Sequence, residues 1–317
     1  MTRLAFLGTP AVAVPALRAL ASRQAVEAVF CNPDKPAGRG RHLEAPPVKA
    51  AALGLGLPVL QPASWKLPET RAQWQSLEVD LAIVVAYGHI LPSWMLDSCP
   101  LGVWNLHFSL LPKWRGAAPV NHAILAGDSE TGVALMRITP GLDAGPVLSM
   151  SRRPITRSDT APGLLGALAE DAALLLAEHL PVLLAGMAAP GLQDAAQVTL
   201  APKLGKEMSR LDCTAAAEAL HRQVRALQPW PGVEFILKDT LVKVCAVGGL
   251  RASGDRPGTL RWDRHGAWLT AGDGCALELT QLQRPGKPIQ TALQALQPWG
   301  GQGEWQLNTQ SADHGGH

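Results

Sequence analysis

Residues 81–86 read LAIVVA, six apolar positions in succession with no polar interruption. A strand with one wet face alternates polar and apolar side chains, whereas a strand covered on both faces has no need to, so this run predicts a central strand of a parallel sheet. The chain around it fits. LAFLG (4–8) is followed by a helical stretch over 11–22, AVEAVF (25–30) by a second near 47–54, and GVWNLH (102–107), TGVALMRI (131–138) and PVLSMSR (146–152) supply further strands before a helix over 161–188. Short apolar strands alternating with helices imply parallel strands joined by crossover helices and an α/β fold: a Rossmann-like, doubly wound, mostly parallel sheet.

The pattern changes after residue 189. A Gly- and Pro-rich stretch, 190–208, reads as a linker, and a helix over 214–227 leads into short β-prone runs, EFILK, LVKVCAV, GTLRW, AWLTAG and ALELTQLQ, with Gly and Pro between them. Many short strands so punctuated predict a smaller β-rich, OB-like barrel domain. The expected domains are therefore 1–189, 209–308 and a polar, Gly-rich tail, 309–317.

Composition narrows the possible functions. No apolar run approaches the roughly 18 residues of a spanning helix, so no membrane association is expected, and the opening MTRLAFLGTP reads as a first strand instead of a signal segment. The five cysteines are scattered without a C-x-x-C pair, which points to a reducing cytoplasm and to no structural zinc. Residues 1–200 carry 15 basic and 15 acidic side chains, and the whole chain has a net charge of +2. Any contact with a polyanion must use local patches.

At the end of GVWNLH the alternation of a strand places Asn105 and His107 on one face, with Ser109 joining them if the extended run persists. A lone histidine is commonly structural; this one stands at the carboxyl end of a predicted central strand, where open α/β sheets bind ligands. Asn105 is a neutral donor suited to a developing oxyanion, and a protonated His107 donates to the same atom. Asp143, in PGLDAGPVL, serves either its own turn or, placed beside His107, proton transfer. Ser109 lacks a G-x-S-x-G elbow, and His89, His107 and His122 lack a ligand spacing, so neither a nucleophilic serine nor a metal is expected. The GTP tripeptide at 8–10 lacks the features of a nucleotide loop and reads as a tight turn. Direct acyl transfer to an external nucleophile remains.

The segments LGTPAVAVPAL, NPDKPAGRGRHLEAPPVK, VVAYGHILP, NLHFSLLPKWRGAAPVNHAILAGDSETGV and GLDAG resemble, in this order, the methionyl-tRNA formyltransferase family, and APKLGKE, VRALQPWPGV, LVKV, PGTL and LQRPGK extend the resemblance to about residue 300. It implies transfer of a formyl group from 10-formyltetrahydrofolate to the α-amine of methionine on initiator Met-tRNA by a cytoplasmic monomer without a metal. It further implies that Asn105, His107 and Asp143 are catalytic. Ser109, Leu110, Leu111 and Pro112 would border the folate, and Tyr87, Gly88, Ile90 and Leu91 would cover its pterin. Arg39, with Lys35 and Arg41 beside it, would meet tRNA. On charge alone Lys203, Lys206, Arg210, Arg222 and Arg225 form a modest basic cluster, which reads either as a charged helix face or, as a group, as a path for the tRNA backbone. A folate-dependent transferase acting on an amino sugar or other small amine is the alternative. Departures from the family pattern include Trp104 before the asparagine, Phe108 between the histidine and Ser109, Ala144 after the aspartate, Ala11 and Val12 in place of Asp-Phe, and Cys213 in place of a tryptophan.

Overall fold

The computed structural model describes residues 2–37 and 42–307, which fall into two compact units. The first comprises residues up to Val120, Ser129–Ile155 and Gly163–Pro202. Its strands are β1 (Leu4–Gly8), β2 (Val26–Phe30), β3 (Val59–Leu60), β4 (Leu81–Val85), β5 (Gly102–His107), β6 (Glu130–Arg137) and β7 (Val147–Pro154), in the spatial order β7-β6-β5-β4-β1-β2-β3. β1 to β5 are parallel, and β6 and β7 are antiparallel to their neighbours. Every residue of β1 and β4 is buried, as the unbroken apolar runs require.

The order of β1 to β5 makes a topological switch. After β3 the chain returns to the other side of β1, so its crossovers diverge there and leave a crevice at the carboxyl ends of the strands. Helix Val14–Ala21 buries Ala16, Leu17 and Leu20, one stripe of its surface. Helix Ala161–Leu184 does the same with Leu164, Leu168, Leu175, Leu176 and Leu183; it stops before Gly186, whose φ of +66° suits a glycine past a helix end. Phe30, Trp65 and Trp74 pack in tilted and edge-on pairs with centroids 5.3–5.7 Å apart.

Residues 190–208, expected to be linkage, are used structurally as far as Pro202. Gly191 bridges Val147, and Leu200–Ala201 pairs in parallel with Arg115–Gly116.

The second unit comprises Asn121–Asp128, Thr156–Pro162 and the chain from Lys203. Its strands, β8 (Val233–Leu237), β9 (Thr240–Ala252), β10 (Thr259–Asp263), β11 (Gly266–Thr270), β12 (Cys275–Gln283) and β13 (Gly303–Gln306), form an antiparallel sheet of order β8-β9-β12-β11-β10-β13 that curls as a half-barrel. The β8–β9 hairpin turns on Lys238 and Asp239, both at positive φ, the backbone that matches strand twist in a two-residue loop. Register shifts along β9 between Val244 and Leu250 bend it. Helix Ala217–Ala226 contributes Val224 to a core with Trp262, Leu269, Leu279 and Leu296. Cys213 fills part of this core, and burial pushes its thiol up to about 11. The expected tail, 309–317, lies outside the described residues.

Candidate active site

β5 carries Trp104 with its indole N–H donated to Leu101 O (2.9 Å), and on the alternate positions Asn105, half-buried, and His107, buried. The strand ends at His107. The amide of Ser109 donates to His107 O (2.9 Å), the Ser109 hydroxyl donates to Lys113 O (2.7 Å), and the amide of Lys113 donates to Leu110 O (3.1 Å), which closes a compact turn. Ser109 is fully buried with its hydroxyl spent on that turn, so it does not extend the polar face of Asn105 and His107.

Nε2 of His107 lies 2.9 Å from Trp114 O. A carbonyl only accepts, so Nε2 carries a proton and Nδ1 is the nitrogen left for chemistry. Nδ1 faces Asp143 Oδ2 at 3.7 Å, an ion-pair distance too long for a direct hydrogen bond but short enough for a shared partner between them.

Asp143 sits in the β6–β7 connection at a φ of +45°, a left-handed backbone that costs a residue with a Cβ. The same carboxylate oxygen accepts from the amide of Gly116 (2.8 Å), and Gln193 donates from one amide nitrogen to both Asp143 O (2.8 Å) and Gly145 O (2.7 Å). Gly145 has no alternative. An added Cβ would stand 1.8 Å from Arg137 O.

The side-chain amide of Asn105 makes no hydrogen bond to another described residue. A half-buried donor without a protein partner, beside a histidine and a carboxylate, is suited to a polar ligand atom.

The other proposed positions divide. Leu111 is buried against Ala134 and Met136, Leu110 and Pro112 are half-buried, and Tyr87 is buried with its hydroxyl accepting from Trp65 Nε1 (3.1 Å). Tyr87 therefore belongs to the core, and burial pushes its phenol up to about 12. Gly88 and Ile90 are exposed, Ile90 at 95%, while Leu91 is half-buried. His89 Nε2 meets Asn32 Oδ1 at 2.6 Å, which ties this loop to the segment after β2. Asn32 in turn donates its backbone amide to Thr9 Oγ1 (3.2 Å), so the GTP tripeptide acts as a turn that braces the carboxyl ends of β1 and β2.

Of the basic residues, Lys35, Lys203, Lys206 and Arg210 are exposed, and Arg39 and Arg41 lie outside the described residues. Arg222 and Arg225 make hydrogen bonds within the protein. Arg222 Nε donates to Leu125 O (3.1 Å), and buried Arg225 donates to Asp159 O (2.6 Å), Thr156 O (3.2 Å) and His221 Nδ1 (3.1 Å). Phe108 and Trp104 are both buried.

Trp114, Arg115, Gln193 and Thr199 were not singled out by the sequence. Only the first two lie in a quoted motif, KWRGAAP, and Trp114 acts through a backbone carbonyl that no residue pattern displays.

The family model for formyl transferase matches residues 2–180, and that for the formyl transferase C-terminal domain matches 203–298. A methionyl-tRNA formyltransferase of Xylella fastidiosa is 47% identical over 287 residues, covering 90% of this chain and 93% of that protein. The methionyl-tRNA formyltransferase of Methylococcus capsulatus gives the same identity and coverage, and that of Xanthomonas axonopodis is 46% identical over 93% of this chain and 96% of its own. Among solved structures, an N-formyltransferase from Helicobacter canadensis in complex with folinic acid and dTDP-3-aminofucose aligns with a TM-score of 0.67 and 17% identity, over 90% of this chain and all of that one. HypX of Aquifex aeolicus in complex with tetrahydrofolic acid aligns at 0.65 and 17% identity, over 94% of this chain and 47% of that one. At such identities the likeness is one of fold.

Proposed function

The chain belongs to the methionyl-tRNA formyltransferase family, and from this premise we propose that it transfers the formyl group of 10-formyltetrahydrofolate to the α-amino nitrogen of methionine on initiator Met-tRNA. The observation that carries the chemistry is the approach of Nδ1 of His107 to the Asp143 carboxylate, 3.7 Å apart and from separate parts of the chain, with the unpartnered amide of Asn105 two residues before His107 on the same strand.

The neutral amine attacks the formyl carbon, and negative charge develops on the formyl oxygen. Asn105 Nδ2 donates to that oxygen, and protonated His107 donates from Nδ1. Asp143 stabilises the imidazolium and takes the proton that the amine loses, directly or through water. When the tetrahedral carbon collapses, its bond to N10 breaks, and N10 leaves with the proton that the amine gave up, delivered from Asp143 directly or through water, so protons and charge balance. Leu110, Pro112, Ile90 and Leu91 offer apolar surface for the donor's flat rings, with backbone polar groups beside them. Ser109, Leu111, Tyr87 and Gly88 take part through backbone and shape, since the hydroxyls of Ser109 and Tyr87 are engaged inside the protein.

Lys35, Arg39, Arg41, Lys203, Lys206 and Arg210 meet the tRNA in this reading, through phosphates or an unpaired base. The enzyme acts as a cytoplasmic monomer without a metal. Among the described residues no helix is long and apolar enough to cross a membrane.

One assay tests the reading against transfer to a small amine. Purified protein and 10-formyltetrahydrofolate are offered Met-tRNA, uncharged tRNA, free methionine or amino sugars. Formylation of Met-tRNA alone supports it. Formylation of an amino sugar with Met-tRNA untouched would overturn it.

A further inference from the structure

Nothing in the transfer chemistry accounts for Arg115 and Gln193, 78 residues apart in sequence. Gln193 Oε1 accepts from both Nε (3.1 Å) and Nη2 (2.8 Å) of Arg115, while its Nε2 donates to Asp143 O (2.8 Å) and Gly145 O (2.7 Å). The orientation of the amide is forced. A guanidinium only donates and a carbonyl only accepts, so reversing the amide would lose all four bonds.

The neighbours of Arg115 give the arrangement its meaning. Residue 114 supplies the carbonyl that holds His107 Nε2, and residue 116 supplies the amide that holds the Asp143 carboxylate. The same short segment is anchored to residues 199–201: Trp114 N donates to Thr199 Oγ1 (2.9 Å), Arg115 N to Thr199 O (2.9 Å) and Ala117 N to Ala201 O (2.8 Å). Both His107 and Asp143 are thus aimed by the backbone on either side of Arg115. The Arg115 side chain reaches through Gln193 to the backbone of Asp143, held at a φ of +45°. That backbone relaxes unless its surroundings fix it. The bonds to Gln193 are charge-assisted at one end and paired at the other, a rigid link.

We propose that Arg115 and Gln193 are a positioning pair for the transfer reaction, fixing the turn of Asp143 so that its carboxylate stays on Nδ1 of His107. The proposal rests on the roles assigned above to His107 and Asp143. Neither Arg115 nor Gln193 touches a reacting atom. Each acts through Asp143.

The test compares Gln193→Ala, Gln193→Glu and Arg115→Lys with the native protein in steady-state kinetics and in NMR-detected hydrogen exchange of the Gly116 amide. Gln193→Glu is the informative variant, because a carboxylate still accepts from Arg115 but cannot donate to the two carbonyls. With both Gln193 variants, kcat falls roughly 10- to 100-fold, as small misplacements of a catalytic group do. KM for either substrate stays within about threefold, since ground-state binding is untouched. Exchange at Gly116 accelerates while amides of β1 and β4 keep their protection. Arg115→Lys retains the charge without the fork and shows a smaller loss of kcat.

Native kcat and unchanged Gly116 exchange in Gln193→Glu would overturn the pairing. So would a loss of protection throughout the first unit in all three variants, which marks a merely structural link. If the native protein formylates no Met-tRNA, the substrate reading fails by itself. Exchange at Gly116 still decides whether the pair holds Asp143.

Discussion

His107 gives Nε2 to the carbonyl of Trp114 at 2.9 Å, and through that bond the backbone of one loop decides which face of the imidazole does chemistry. The consequence falls on Asn105, two residues back on the same strand, whose amide has no partner among the described residues. Replacing it with Ala removes a donor that engages fully only when charge appears on the formyl oxygen. Turnover of Asn105→Ala should fall on the order of 10²-fold or more with KM nearly unchanged. Asn105→Asp should fall further, because it sets a carboxylate against the developing charge. Single-turnover formylation of Met-tRNA measures both. An Asn105→Ala enzyme with native turnover would remove the oxyanion assignment.

How much of this was legible in the sequence depends on how local each cause is. The parallel sheet could be read from LAIVVA and its neighbours because burial on both faces is written in consecutive residues. Asn105 and His107 could be paired because a strand has period two. Ser109 broke that pattern through a turn made of backbone and one hydroxyl, bonds that residue types only hint at. Tyr87 is expected to cover the pterin; that its ring also packs in a core with Trp65, 22 residues away in sequence, is not written in the local pattern. The hold on Asp143 was least visible. It comes from backbone atoms of Gly116 and from Gln193, which lay in a stretch whose Gly and Pro content reads as linkage.

Gly145 tests how tightly that turn is built. A Cβ there would meet Arg137 O at 1.8 Å, a backbone atom that β6 holds in the sheet, so no flexible side chain can yield to it. In Gly145→Ala the turn must shift and carry Asp143 with it. The expected result is a loss of about 1–3 kcal/mol in stability, the usual range for overpacking against fixed neighbours, together with a drop in kcat. Urea unfolding and formyl transfer on the same preparation check both. A fully stable and fully active Gly145→Ala would show that the turn has slack.

The basic side chains of the second unit should separate into two kinds. Arg225 caps the carbonyls of Thr156 and Asp159 from a buried position, so Arg225→Met leaves polar groups unpaired and should destabilise by about 2–5 kcal/mol. Lys206 and Arg210 are exposed. Lys206→Ala and Arg210→Ala should leave the melting temperature unchanged, weaken tRNA binding, and reduce the slope of log K against log salt by about 0.7–0.9 each. Calorimetry and binding titrations at several salt concentrations distinguish the two. Unchanged salt slopes in both exposed variants would take them out of the RNA contact.

His221 supplies a pH dependence whose sign can be worked out. Burial pushes its imidazole below the ordinary histidine range, and Arg225, Arg157 and Arg222 push the same way against the opposing pull of Glu218. The geometry agrees, because Nδ1 accepts from Arg225 Nε at 3.1 Å and must be free of a proton to do so. In the unfolded chain this ring takes a proton near pH 6.5. The folded chain resists protonation until the pH is lower. Between those two points the unfolded state binds more protons, so stability rises with pH. The contribution is complete above about pH 6.5 and is lost as the pH falls through the lowered folded value. His221→Gln keeps an acceptor for Arg225 without a titrating group, so the difference in unfolding free energy between native protein and variant should favour the native protein less at pH 5 than at pH 7.5. Denaturant titrations across that range measure the difference. If it stays constant with pH, His221 does not titrate between the two states in this window, and the charge repulsion inferred from Arg225 is not felt.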